Sequence, residues 1–161
     1  MEPQFNKLFQ IGIIVENVED SVKCFEEKFS MGPWEIRELN NDEDPFKEMA
    51  VNGEKVHIQN KMAFMFAYGM EIELIQPISD SAYKRWLDEH GPGIHHIAVS
   101  TRDPYKEVIK QAEELTGKKA WLHGECKPIG MDFSYLDLTK ELGIFVEIYD
   151  EDKSNAPCNA F

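Results

Sequence analysis

Positive charge is in short supply in this chain. It carries 17 Lys and Arg against 30 Asp and Glu, a formal net charge of -13. Binding to nucleic acid or to an anionic membrane needs a basic stripe that displaces counterions, and a field of this sign repels both. A polyanionic small molecule is disfavoured at long range, although a few local cations overcome this at short range. Cysteine is equally scarce. Cys24, Cys126 and Cys158 are odd in number and lack close-paired spacing, which excludes a disulfide frame or zinc knot and predicts reduced thiols in a cytoplasmic protein. No apolar run approaches the ~20 residues of a membrane span, and no amino-terminal stretch reads as a signal peptide.

What the chain does contain is ordinary for a globular protein: 161 residues, 42% hydrophobic and 29% charged, enough for one domain with its own core. The pattern reads as one unit over 1–150 followed by a polar tail, 151–161. Module one spans 7–77. A strand from Leu8 to Val15 leads into a helix with Val18, Val22, Phe25 and Phe29 on one face, capped by Asn17 or Asp20 and ended by Gly32-Pro33. Trp34 to Leu39 is a strand, Asn40 to Pro45 an acidic loop, and Lys55 to Tyr68 with Met70 to Gln76 a hairpin broken at Gly69.

A linker, 78–92, holds a short helix with Tyr83, Trp86 and Leu87, capped by Ser79 or Ser81. Module two, 93–150, repeats the plan. Strand Ile94 to Thr101 is followed by Asp103 as cap and Pro104 at the first helical position. A helix then carries Tyr105, Val108, Ile109, Ala112 and Leu115 on one face as far as Gly117. Strands near Ala120 to His123, Met131 to Leu138 and Gly143 to Tyr149 complete it.

The two modules also match in chemistry. Gln10 opens the apolar run Ile11 to Val15, and His96 opens Ile97 to Ser100. Glu73 sits inside Met70 to Ile75, and Glu147 inside Ile144 to Tyr149. Alternation along a strand puts Gln10, Gly12 and Ile14 on one face, with His96, Ala98 and Ser100 on the matching face. Glu73 and Glu147 oppose their apolar neighbours in the same way. Four such donors suffice for a mononuclear metal site, or are solvent-side residues of half-buried strands. Alternation sends His95 to the opposite face as a packed or capping histidine, and His57, His90 and His123 receive no role.

The segments Glu71-Ile72-Glu73-Leu74-Ile75-Gln76-Pro77, Gly91-Pro92-Gly93-Ile94-His95-His96-Ile97-Ala98-Val99 and Leu142-Gly143-Ile144-Phe145-Val146-Glu147-Ile148 resemble the vicinal oxygen chelate superfamily. Within it they are most similar to the methylmalonyl-CoA epimerase and glyoxalase branch. The resemblance runs from about Leu8 to Tyr149. It implies an α+β fold of two βαβββ modules forming a curved mixed sheet, with Gln10, Glu73, His96 and Glu147 around a divalent metal and a homodimeric assembly. The ligand set is similar to that of some zinc glyoxalase I enzymes. Those hold glutathione with an arginine four residues after the first ligand, where this chain has Ile14. A missing first histidine argues against the extradiol dioxygenases.

One imidazole and three oxygen donors suit zinc, nickel, cobalt or manganese. Such an ion acidifies the carbon next to a bound carbonyl, with Glu147 as the expected base. The expected substrate is a small carbonyl compound or thioester, its pocket walled by Phe64, Phe66, Tyr68, Phe133 and Tyr135, with Lys127 or Arg102 near an acidic tail. The expected activity is a metal-dependent isomerase or lyase of the epimerase type. A glyoxalase I-type lyase and a non-catalytic binding protein are the alternatives. An epimerase would use a second acid, and the strand Met62 to Tyr68 offers no carboxylate.

Overall fold

A computed structural model describes residues 4–43, 47–126 and 131–150. Lys127, Cys158 and the polar tail lie outside them. Strand β1 (Phe5–Ile14) enters helix α1 (Val18–Phe29), whose buried Val18 and Val22 meet the sheet. Asn17 caps α1 by accepting a hydrogen bond from the Asp20 amide, an arrangement worth about 1 kcal/mol. Then follow β2 (Glu35–Asn40), β3 (Lys47–Val51), β4 (Glu54–Lys55), β5 (Gln59–Ala67) and β6 (Met70–Pro77). Helix α2 (Ala82–His90) is capped by Ser81, which accepts from the Lys84 amide. The second half has β7 (Gly93–Thr101), α3 (Tyr105–Thr116), β8 (Leu122–Cys126), β9 (Met131–Leu138), the single turn α4 (Thr139–Leu142) and β10 (Ile144–Tyr149).

All ten strands form one mixed sheet in the order β2-β5-β6-β1-β7-β10-β9-β8-β3-β4. Read outward from the central β1–β7 pair, the halves run β1-β6-β5-β2 and β7-β10-β9-β8, so the two βαβββ modules are present and abut through their first strands. Each first strand pairs in parallel with its module's last, and the registers match: Gly12 lies opposite Glu73 as Ala98 lies opposite Glu147. Gln10 is therefore the counterpart of His96, and Glu71 of Phe145. The central pair is antiparallel.

One hairpin breaks the symmetry and corrects the expected strand Lys55 to Tyr68. Asn52 and Gly53 both take positive φ, 51° and 84°, the conformation of a tight two-residue hairpin turn. They fold β3 onto β4, and β3 then pairs with β8 in the other half. The segment from Asn40 to Lys47 reaches about 25 Å at most when fully extended, so the β2 and β8 edges approach each other and the sheet curls.

Apolar residues on the convex side pack under α1 (Val15, Val18, Val22, Ala63, Leu74) and α3 (Val99, Tyr105, Val108, Val146, Ile148). A third cluster on the concave side includes Ile14, Ile58, Ile75, Leu122 and Phe145. The cap of α3 differs from expectation. Pro104 is itself the cap residue, without a side-chain bond, because the Asp103 carboxylate is taken up by Arg102 and Gln111. Among the described residues no helix is long and apolar enough to cross a membrane.

Candidate metal centre

The curl brings the four donor residues, one from each of four strands, into one buried cluster. Gln10 is 5% exposed, Glu73 7%, His96 0% and Glu147 3%. They meet at a single atom, since Gln10 Oε1, Glu73 Oε2 and Glu147 Oε2 each lie 3.4 Å from His96 Nε2. The solvent-facing alternative for the two glutamates does not describe this arrangement.

Gln10 is oriented by a residue the sequence reading did not single out. Its amide nitrogen donates to Glu71 Oε1 at 2.7 Å, which turns Oε1 toward the cluster. Glu71 is 7% exposed and shares the concave face with Glu73. The period-two pair Glu71-x-Glu73 was the available signal.

His96 lies over Gly12. A Cβ there would come within 1.9 Å of His96 Cε1, so the space that glycine leaves is filled by the imidazole rather than by a ligand. His95 does not alternate away from its neighbour. The β1–β7 ladder passes from Gly12 opposite His96 to Ile13 opposite Ile94, so His95 is the extra residue of a β-bulge, a device that re-aims side chains. It is packed, 1% exposed, but on the cluster's side, with its Nδ1 3.1 Å from His96 Nδ1.

Burial disfavours a charged His96, and the carboxylates of Glu147 and Glu73 outweigh it, raising the imidazole to about 9. Burial pushes the Glu73 carboxyl up, against the pull of His96. No Lys or Arg is fully buried among the described residues, so protonated His96 is the buried counter-charge. One N–H cannot satisfy three acceptor oxygens, and Glu147 Oε2 is left without a hydrogen-bond partner.

Surplus oxygen lone pairs around one nitrogen are the chemistry a hard or borderline cation accepts, and by that measure the donor set fits a divalent metal. Separations of 3.4 Å also match neighbouring donors around an ion with bonds of about 2.1 Å. Even so, among the described residues no three His, Cys, Asp or Glu side chains form a preformed cation site. With its imidazole raised to about 9, His96 carries its own proton between the carboxylates at neutral pH, and a metal would have to displace it.

A cavity of about 200 Å3 opens over the cluster. Gln10, Glu73 and Glu147 reach its lining, while Leu39, Met62, Phe64 and Phe133 make much of its apolar wall. Phe64, Phe133 and Tyr135 line it as expected. Phe66 and Tyr68 do not, being 67% and 89% exposed: β5 runs past the cavity mouth, and Tyr68 sits in the following turn at φ 57°. Arg102 is paired with Asp103 on the surface and is not a lining residue. The cation at the wall is Arg37, paired with Glu35 at 2.6 Å and set 5.6 Å over the Phe64 ring. Burial pushes the phenols of Tyr83 and Tyr135 well up, so both stay protonated.

Residues 9–148 match the family model described as Glyoxalase/Bleomycin resistance protein/Dioxygenase superfamily. Among curated proteins, none matches the chain. Similar solved structures include a hypothetical protein from Bacillus halodurans, 20% identical with a TM-score of 0.61, covering 90% of this chain and 94% of that one. Methylmalonyl-CoA epimerase from Mycobacterium tuberculosis is 15% identical at a TM-score of 0.60, covering 94% and 91%. A variant of the Streptomyces coelicolor epimerase, in complex with 2-nitronate-propionyl-CoA, is 18% identical at 0.60, covering 91% and 98%. At these identities the likeness is one of fold.

Proposed function

The chain belongs to the glyoxalase/bleomycin resistance protein/dioxygenase superfamily, and from that premise we propose that it is a divalent-metal-dependent isomerase or lyase. It removes a proton next to a carbonyl in a small thioester or carbonyl substrate, in the manner suggested by the epimerases that share its fold. One observation carries the reading: three buried oxygens converge on one imidazole nitrogen beneath a largely apolar cavity, and one of them, Glu147 Oε2, lacks a hydrogen-bond partner.

Gln10, Glu73, His96 and Glu147 would hold the ion. When bound, it supplies Lewis-acid polarisation of the substrate carbonyl and so acidifies the neighbouring C–H bond. Glu147 accepts that proton at Oε2 and returns it to carbon. Glu71 holds the Gln10 amide with its oxygen inward, and the protonated phenol of Tyr135, in ring contact with His96 at 4.8 Å, walls the side of the site.

A one-base variant, closer to a lyase or an aldose–ketose type isomerase than to a two-base epimerase, is favoured by Phe64. It stands directly opposite Glu73 in the β5–β6 pair and leaves that wall without an acid, while the further carboxylate at the cavity, Glu38, is exposed and opposite Lys61 in the β2–β5 pair. Glutathione is a poor fit for that variant, because Ile14, where an arginine would be needed, is wholly buried in the core.

The test is elemental analysis of protein purified without chelator, alongside a Glu73→Ala, Glu147→Ala double variant, followed by solvent-deuterium exchange into methylmalonyl thioesters and hemithioacetals. Stoichiometric metal lost in the double variant, with exchange by the wild type, supports the enzyme. Absence of metal and of exchange would make the chain a small-molecule binding protein of this fold.

A further inference from the structure

His95 is a second buried imidazole that the reaction above does not use. Its ring is enclosed by Phe145 at 4.7 Å, Trp121 at 5.1 Å, Trp86 at 5.2 Å and Tyr83 at 5.3 Å between centroids. Its Nε2 is buried without a hydrogen-bond partner. Its other nitrogen, Nδ1, faces His96 Nδ1 at 3.1 Å. Two ring nitrogens at that distance share one proton, so one imidazole donates and the other accepts.

The choice fixes the chemistry of the opposite edge of His96. If His95 donated, neutral His96 would carry its proton on Nε2, pointed at Gln10, Glu73 and Glu147, and would have no lone pair there. If His95 accepts, His96 keeps its proton on Nδ1 and Nε2 is the nitrogen able to bind a cation. Resting on the metal reading above, we infer that His95 is a positioning residue: its Nδ1 accepts the Nδ1 proton of His96 and commits His96 Nε2 to the cation.

The β-bulge is what makes this possible, since a regular strand would send His95 to the α3 side. A neutral acceptor also suits the place. The Nδ1–H of a metal-binding histidine is usually taken by a carboxylate, carbonyl or water. Here Glu71, Glu73 and Glu147 already bring three carboxylates, and a neutral imidazole orients His96 without adding a fourth. The cost is the Nε2–H of His95, left facing aromatic rings rather than an acceptor.

The test begins with metal-free wild-type protein labelled with 15N-histidine, held above pH 9 so that His96 has lost its second proton and either histidine can be the donor. Two-bond proton–nitrogen correlations should show His95 bearing its proton on Nε2, with Nδ1 bare. A proton on His95 Nδ1 overturns the inference. Zinc affinity, measured by competition with a chromophoric chelator, gives the second readout. His95→Phe keeps an aromatic ring and removes the acceptor, and should weaken zinc about 10–100-fold. His95→Asn places an amide oxygen near the position of Nδ1 and should stay within a few-fold of wild type. Zinc binding by His95→Phe as tight as wild type would also overturn it. If His95→Phe does not fold, as judged by near-UV circular dichroism, the wild-type spectrum decides alone. If the wild type binds no zinc, the metal reading fails, while the spectrum still reports which histidine donates.

Discussion

Gln10 and His96 hold equivalent places in the two halves of the sheet, yet the halves steady them by different means. In the first half, the partner on the neighbouring parallel strand is Glu71, whose carboxylate takes the Gln10 amide at 2.7 Å. In the second half the same register position is Phe145, and the polar support comes from the bulged His95 while Phe145 packs against its ring at 4.7 Å. A duplicated backbone thus delivers two donors to one point through one charged support and one neutral, aromatic-walled support. The division has an electrostatic reason. A carboxylate in the Phe145 position would place another buried negative charge beside Glu73 and Glu147, where desolvation already pushes Glu73 up.

The sharpest way to separate the halves is to neutralise their equivalent glutamates. Glu147→Gln should cut solvent-deuterium exchange by about 10^2–10^4-fold, the usual worth of a positioned base, with the fold intact. Glu73→Gln should act mainly by weakening metal binding, and excess metal should restore much of its exchange. Equal, unrescued losses in both variants would show that catalytic work is shared by the halves.

A smaller effect is expected from the support of Gln10. Glu71→Leu should lower metal affinity about 10-fold, read by chelator competition. Unchanged affinity would mean that Gln10 holds its orientation unaided or is no ligand.

His96 gives the comparison a pH axis. Its folded pKa of about 9 lies above the ordinary 6.5. In the metal-free protein its protonated form therefore contributes stability that is full below about pH 6.5 and is lost as pH rises through about 9. A cation must displace the same proton, so apparent metal affinity should climb with pH until about 9 and then level off. Calorimetry in buffers of different ionisation enthalpy should register one proton released at neutral pH. No proton release would place the metal elsewhere.

The smallest expected differences lie in the backbone partners. Gly12→Ala drives a Cβ into the His96 ring and should cost about 1–3 kcal/mol by overpacking. The reverse change at the equivalent position, Ala98→Gly, should cost only about 0.5–1 kcal/mol. Thermal unfolding of the two variants measures the contrast.

Much of this was legible along the chain. Helical spacing of Val18, Val22, Phe25 and Phe29 marks α1, the Asn17 cap is local, and strict alternation around Glu73 and Glu147 gives their face. Other features were obscure for physical reasons. Nothing local says that β3 pairs with β8 in the other half, because that partner lies far along the chain. Phe66 and Tyr68 keep the correct alternation and still miss the cavity, since alternation gives a face and not how far along the strand the cavity extends. His95 failed for a different reason: a bulge shifts the side-chain phase by one residue, and phase is all that alternation provides.

The sequence by itself determined the duplicated βαβββ plan and the shared sheet face of Gln10, Glu73, His96 and Glu147, because strand periodicity and local caps depend on near neighbours. Only the tertiary structure decided that three side-chain oxygens meet within 3.4 Å of one nitrogen, that Glu71 takes the Gln10 amide and His95 lies against His96, and that Arg37 rather than Arg102 stands at the wall. Those outcomes depend on sheet curvature, parallel register and one bulge, and each is fixed by pairing between residues distant in sequence.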